Sequence, residues 1–169
     1  MSQLPRVQLK TNLGELVIEL NSEKAPLTVE NFLRYVEDGF YSDTLFHRVI
    51  PGFMVQGGGF SVDFEQKPGQ TPINNEAGNG LKNVRGSIAM ARTNDPHSAS
   101  SQFFINLTDN SFLNHSAPTS QGWGYAVFGQ VVEGIEVIDI IAKQKTASRM
   151  GHGDVPVEDV IIESMRVLA

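Results

Sequence analysis

Apolar and polar residues alternate through the first twenty positions: Val7 and Leu9, then Leu16, Ile18 and Leu20, stand on either side of the segment Thr11-Asn12-Leu13-Gly14. Period two on both arms of a turn predicts a β-hairpin. The period then changes. Val29, Phe32, Leu33, Val36 and Phe40 recur at i, i+3, i+4, i+7 and i+11 behind Pro26, with Thr28 as candidate N-cap, which predicts one amphipathic helix ending near Gly39. Ile135, Ile138 and Ile141 predict a second, shorter helix, with Lys143 and Lys145 near its negative end. Short apolar runs at 46–50, 53–55, 87–91, 102–107 and 125–132 are separated by Gly-, Asn- and Pro-rich stretches, and 160–168 is again β-rich. The chain therefore reads as mainly β with two helices. Many short strands punctuated by turns fit a sandwich or a closed barrel, and the pattern does not choose between them. The polar, glycine-rich stretch 57–85 is long for a connection in a compact domain, a length usually associated with function.

Composition narrows the partners. The 169 residues match one domain, expected to span 1–169. A net charge of −6, from 19 acidic against 13 basic residues, argues against a nucleic-acid surface, which needs clustered Lys and Arg. The absence of cysteine excludes disulfides, thiolate chemistry and sulfur-bound metals, and agrees with a reducing compartment. No run has the length of a signal peptide core or a membrane span, so a soluble, cytoplasmic protein with no membrane partner is expected. The sequons at Asn106 and Asn114 are the kind of tripeptide that arises by chance and carry no weight.

Most bond-making chemistry lacks its signature. His47, His97, His115 and His152 are scattered and form no metal-binding pair, and there is no nucleophile elbow, Walker loop or dinucleotide fingerprint. Neither a metal nor a cofactor is expected. What stands out is the run from Phe46 to Phe60, where Arg48 and Gln56 sit among Val49, Ile50, Phe53, Met54 and Val55 across two adjacent strands. One permanent cation and one amide amid large apolar groups is unusual for core packing. Singly, Phe53 and Met54 read as core and Arg48 as a surface ion-pair partner; Arg48 can share a face with other even-numbered side chains, while the Pro51-Gly52 turn re-sets the register before Phe53.

This run resembles the cyclophilin signature, and further blocks match that family in the same order. They are Asn31-Phe32-Leu33-Arg34-Tyr35-Val36 with Gly39-Phe40-Tyr41; Asn75-Glu76-Ala77 through Gly86-Ser87-Ile88-Ala89-Met90-Ala91; and Ser101-Gln102-Phe103-Phe104-Ile105 with Phe112-Leu113 and Val127-Phe128-Gly129. The similarity covers nearly the whole chain, and the Gln121-Gly122-Trp123-Gly124-Tyr125 segment is most similar to bacterial cytosolic cyclophilins. The resemblance implies a closed eight-stranded antiparallel β-barrel capped by two α-helices. It also implies a cofactor-independent peptidyl-prolyl cis/trans isomerase that acts on proline-containing segments of unfolded or nascent polypeptides and works as a monomer.

By the same resemblance Arg48, Phe53 and Gln56 are the catalytic set, and Met54, Ala91, Arg92, Thr93, Phe104, Phe112, Leu113 and Tyr125 bind substrate. Phe112 stands where a tryptophan is usual in the eukaryotic members and Tyr125 where a histidine is usual. The family's tryptophan donates a hydrogen bond to the drug cyclosporin that phenylalanine lacks, so cyclosporin binding is expected to be weak. Rotation about an X–Pro bond breaks no covalent bond, which accounts for the missing nucleophile and base. Two rival readings remain: a non-catalytic proline-peptide or chaperone-like module using the same groove, and a β-barrel carrier with an apolar ligand inside.

Overall fold

The computed structural model describes residues 4–69, 71–93, 95–119, 122–149 and 151–168; Gln121, which heads the Gln121–Tyr125 segment, and the residues before Leu4 lie outside them. The expected hairpin is formed by β1 (Arg6–Thr11) and β2 (Gly14–Leu20), paired antiparallel with Leu9 opposite Leu16. Helix α1 (Pro26–Glu37) follows, then β3 (Thr44–Leu45), β4 (Arg48–Ile50), β5 (Met54–Gly57), β6 (Ser87–Met90), β7 (Phe103–Asn106) and β8 (Val127–Glu133). Helix α2 (Ile135–Ala142), the hairpin of β9 (Thr146–Arg149) and β10 (His152–Pro156), and β11 (Ile161–Leu168) complete the chain.

Nine strands form one antiparallel sheet in the order β3-β11-β1-β2-β8-β6-β7-β5-β4. The expected closed eight-stranded barrel is corrected to an open, strongly curled half-barrel of nine strands. Its two edges, β3 and β4, make no ladder with each other. They are joined instead through the two residues Phe46 and His47, so the sheet must curl until its edges meet. Phe46 N–H donates to the carbonyl of Val160 (2.9 Å), just ahead of β11, so β3 stays paired with β11 through this junction.

Alternation divides each strand between two faces. Val49, Val55, Ile105 and Ile88 point inward and pack with Leu9, Ile18, Phe103 and Phe128. Helix α1 adds Val29, Phe32 and Val36, and α2 adds Ile138 and Ile141, to the same core. Phe32 lies at the aromatic centre, with Tyr41, Phe103 and Phe128 at ring-centroid distances of 5.3, 5.6 and 5.1 Å. Side chains fill the inside of the curl, where a carrier would need an enclosed space. Thr28, expected to be the N-cap, lies inside α1 behind N-cap Ala25 and Pro26. Glu76 caps the helix instead, its carboxylate accepting from the backbone N–H groups of Leu27 (3.3 Å) and Thr28 (2.7 Å) and from the Thr28 hydroxyl (2.6 Å). A carboxylate meeting orphan N–H groups at a helix N-terminus is favourable in both hydrogen bonding and dipole.

Candidate active site

The hairpin β4–β5 sets the register that matters most: Arg48 pairs with Gln56, Val49 with Val55 and Ile50 with Met54. Directly opposed residues project on the same face, so Arg48 and Gln56 stand side by side on the outside of the curl. The row continues across the sheet, Gln56 opposite Phe104, Phe104 opposite Ala89 and Ala89 opposite Val127. The outer face therefore carries its own small apolar cluster, built on Met54, Ala89, Phe104, Leu113 and Val127.

Above this cluster lies a pocket of about 140 Å³. Phe53, Met54, Phe104 and Leu113 give it apolar walls, Arg48 and Gln56 one polar edge, and Ala91, Arg92 and Tyr125 the other. Nine of the eleven expected site residues are thus brought together. Thr93 is not; it lines an adjacent recess of about 220 Å³ with Ser98, Ser100 and Gln102. Phe112 is not a wall either: it is 74% exposed, with its ring stacked on Phe53 at 5.7 Å.

No carboxylate lines the pocket, although the chain as a whole is acidic. Arg92 is committed, donating from Nε to the carbonyl of Gly124 (2.9 Å) and from Nη1 to that of Thr93 (2.8 Å), with its guanidinium 4.6 Å from the Tyr125 ring centroid. Arg48 is exposed and has no ion-pair partner among the described residues. Its five donors are available to whatever enters the pocket. The neighbouring His47 is buried, and burial first, then His152 and Arg48, hold its imidazole down at about pKa 4. An uncharged ring therefore flanks Arg48 at neutral pH.

Gln56 is oriented by a residue not singled out from the sequence. Its Nε2 donates to Gln102 Oε1 at 2.9 Å, leaving a second N–H and its own carbonyl oxygen for a ligand. Gly59 makes room for this: a Cβ there would lie 2.5 Å from the Gln102 side-chain carbons. The backbone before Gln102 is anchored by Tyr41, whose hydroxyl donates to the carbonyl of Ser101 (2.7 Å) and whose phenol is pushed well above its ordinary range by burial and then by Tyr35. Trp123 lies between His97 and His115, with ring centroids 5.0 and 5.1 Å away, bracing the loop that ends at Tyr125. The only sequence signal for these supports was their presence within the matched blocks. Among the described residues no cluster of His, Asp or Glu has the geometry to hold a metal ion, and no helix is long and apolar enough to cross a membrane.

An open apolar pocket edged by an uncommitted guanidinium and an oriented amide suits an uncharged ring next to a carbonyl. The comparisons agree with that geometry. Residues 6–167 match the family model described as cyclophilin type peptidyl-prolyl cis-trans isomerase/CLD. The chain is 59% identical over 162 residues to the peptidyl-prolyl cis-trans isomerase cyp18 of Streptomyces antibioticus, covering 96% of this chain and 98% of that one. It is 57% identical over 161 residues to the peptidyl-prolyl cis-trans isomerase B of Escherichia coli, covering 95% and 98%. A crystal structure of a cyclophilin type peptidyl-prolyl cis-trans isomerase from Cryptosporidium parvum superposes with a TM-score of 0.83 at 28% identity, over 98% of each chain. A non-catalytic binding module is not favoured by these matches. With the fold, the outer-face pocket and near full-length similarity in agreement, the chain belongs to the cyclophilin family and is a peptidyl-prolyl cis-trans isomerase acting on proline-containing polypeptides.

Proposed function

We propose that Arg48 drives the rotation by donating a hydrogen bond to the prolyl nitrogen as the X–Pro bond twists. Planar amide resonance opposes rotation with a barrier of ~18–20 kcal/mol. At the twisted geometry the nitrogen regains its lone pair and becomes an acceptor, which it is not in either planar state. A donor fixed at that point binds the transition state more tightly than the ground states, and each tenfold of acceleration needs only ~1.4 kcal/mol of such difference. Phe53, Met54, Phe104 and Leu113 hold the proline ring, while the free N–H of Gln56 holds a substrate carbonyl, so one side of the bond is fixed as the other turns. Ala91, Arg92, Thr93, Phe112 and Tyr125 contact the flanking peptide.

The observation that carries this reading is the pairing of Arg48 with Gln56 beside an apolar pocket that no carboxylate lines. The protein acts as one unit over 1–169, as a monomer in the cytoplasm, on unfolded or nascent chains, with weak affinity for cyclosporin and no nucleic-acid or membrane partner. Exchange measurements on X–Pro peptides with wild type and Arg48→Ala test the mechanism. Rotation slowed by about 100-fold or more in a folded variant supports it; near-normal rotation removes Arg48 from its centre.

A further inference from the structure

Asn106 occupies a groove-face position of β7, two residues beyond Phe104 and opposite Met54, yet it is 0% exposed. A fully buried amide needs partners for its donors and its acceptor. Its NH₂ donates to Asn83 Oδ1 (3.0 Å) and Ser87 Oγ (2.9 Å), and its Oδ1 accepts from Asn110 Nδ2 (2.8 Å). From these neighbours the bonds branch to the groove. Asn110 Nδ2 also donates to the carbonyl of Phe53 (2.9 Å), while Asn83 Nδ2 reaches the carbonyls of Leu113 (3.2 Å) and Tyr125 (3.4 Å). Asn83 and Asn110 are themselves buried, and the backbone N–H of Asn110 donates to the carbonyl of Asn83 (2.8 Å).

We infer that Asn106, acting through Asn83 and Asn110, is a positioning residue for the apolar end of the groove. The inference rests on that groove being the site of rotation. Phe53, Leu113 and Tyr125 all stand outside the strands and have few backbone bonds: the Phe53 carbonyl accepts from Leu107 N–H (2.9 Å) and the Leu113 carbonyl from Tyr125 N–H (2.9 Å). Phe53 follows the turn after β4, Leu113 ends a short 3-10 turn and Tyr125 precedes β8. Their carbonyls converge on one amide relay whose root is on the rigid sheet. Only an amide fills the root position: it supplies donors to Asn83 and Ser87 and an acceptor to Asn110 at once. A carboxylate there would set its oxygens against Asn83 Oδ1. The relay is neutral, so its hold on the groove does not vary with pH.

The test replaces Asn106 with a residue of similar size that makes none of these bonds. In Asn106→Leu, rotation at saturating X–Pro peptide should fall about tenfold with a smaller change in peptide affinity, since misplacement of a ring wall acts on the reacting geometry. Backbone amide resonances of Phe53, Leu113 and Tyr125 should shift together. An interior variant, Ile162→Val, should lose stability without either effect. Wild-type rotation in folded Asn106→Leu, or an equal loss of rotation in Ile162→Val, overturns the relay. If Asn106→Leu does not fold, Asn110→Ala decides: rotation slowed by about threefold supports the relay, and unchanged rotation sinks it. Arg48→Ala in the same assay keeps the two ideas apart. A fast Arg48→Ala removes the groove mechanism, whereas a slow Arg48→Ala beside a fast Asn106→Leu removes only the relay.

Discussion

The two faces of the curled sheet are built from alternate residues of the same strands and do opposite work. Inward, Val49, Val55, Ile88 and Ile105 join Phe32, Phe103 and Phe128 in a closed core in which most side chains have no exposed surface. Outward, Met54, Ala89 and Phe104 support a cluster left partly open, bordered by a cation with no ion-pair partner among the described residues, an amide and an exposed Phe112. The inner face is dense because burial of apolar surface is what stabilises the fold. The outer face leaves a side uncovered and gives up some of that stabilisation, which is what the proposed substrate pocket requires. One residue of register would exchange the two sets, so strand pairing specifies the site as firmly as it specifies the core.

Two substitutions separate the faces. Arg48→Ala should slow prolyl rotation by about 100-fold or more. The same change should alter unfolding free energy by no more than about 0.5 kcal/mol, as expected for an exposed side chain without a partner. Phe32→Ala should do the reverse: loss of a fully buried ring in contact with three others should cost ~3–5 kcal/mol in urea unfolding, with rotation per folded molecule near wild type. If Phe32→Ala slows rotation as strongly as Arg48→Ala, the faces are coupled and the division fails.

How much of this was legible depended on the range of the interactions. Period two around Arg48 put it in phase with other even-numbered side chains, because strand alternation is local, while its pairing with Gln56 across the Pro51-Gly52 turn came from the fold. The i, i+3, i+4 spacing of Val29, Phe32 and Val36 likewise marked α1. The helix cap was misread because its acceptor, Glu76, lies 48 residues beyond Thr28, and Thr28 matched the local rule while serving another purpose. The hairpin β9–β10 was missed: it is largely exposed and shows no apolar alternation. Strand number and closure, expected from the family resemblance, came out differently: β3 lies just ahead of the run at 46–50, and β3 and β4 end as the two edges of the sheet. Asn106 read only as part of a chance sequon; a buried amide and a surface amide look alike until the partners at Asn83 and Asn110 are known.

His47 offers a comparison of stability with activity on one strand edge. Its imidazole titrates at about 4 in the fold against 6.5 for an unburied histidine, so the unfolded chain takes up its proton first as pH falls. The contribution is whole above about pH 6.5 and is lost progressively down to about pH 4, on the order of 3 kcal/mol in all. Urea unfolding across that range should show wild-type stability declining more steeply than that of His47→Phe. Rotation per folded molecule should stay flat between about pH 6 and 8, since the proposed donor is a guanidinium, which holds its charge there. A bell-shaped rate profile would instead bring a histidine into the reaction.

The smallest expected effect lies at the rim of the outer face. Phe112 is 74% exposed and touches the groove only by stacking on Phe53, so Phe112→Trp should leave stability within about 0.5 kcal/mol of wild type. Rotation should change little for the same reason, because the proposed pocket for the proline ring is walled by Phe53, Met54, Phe104 and Leu113 rather than Phe112. What the indole adds is an N–H donor at the edge of the groove, which phenylalanine cannot supply. Cyclosporin affinity, measured by titration calorimetry, should therefore rise by about tenfold, the worth of one net hydrogen bond of about 1.4 kcal/mol. An unchanged affinity would mean that the exposed ring stands clear of the bound drug, and that affinity is set deeper in the groove, where Tyr125 and Arg92 form the opposite edge.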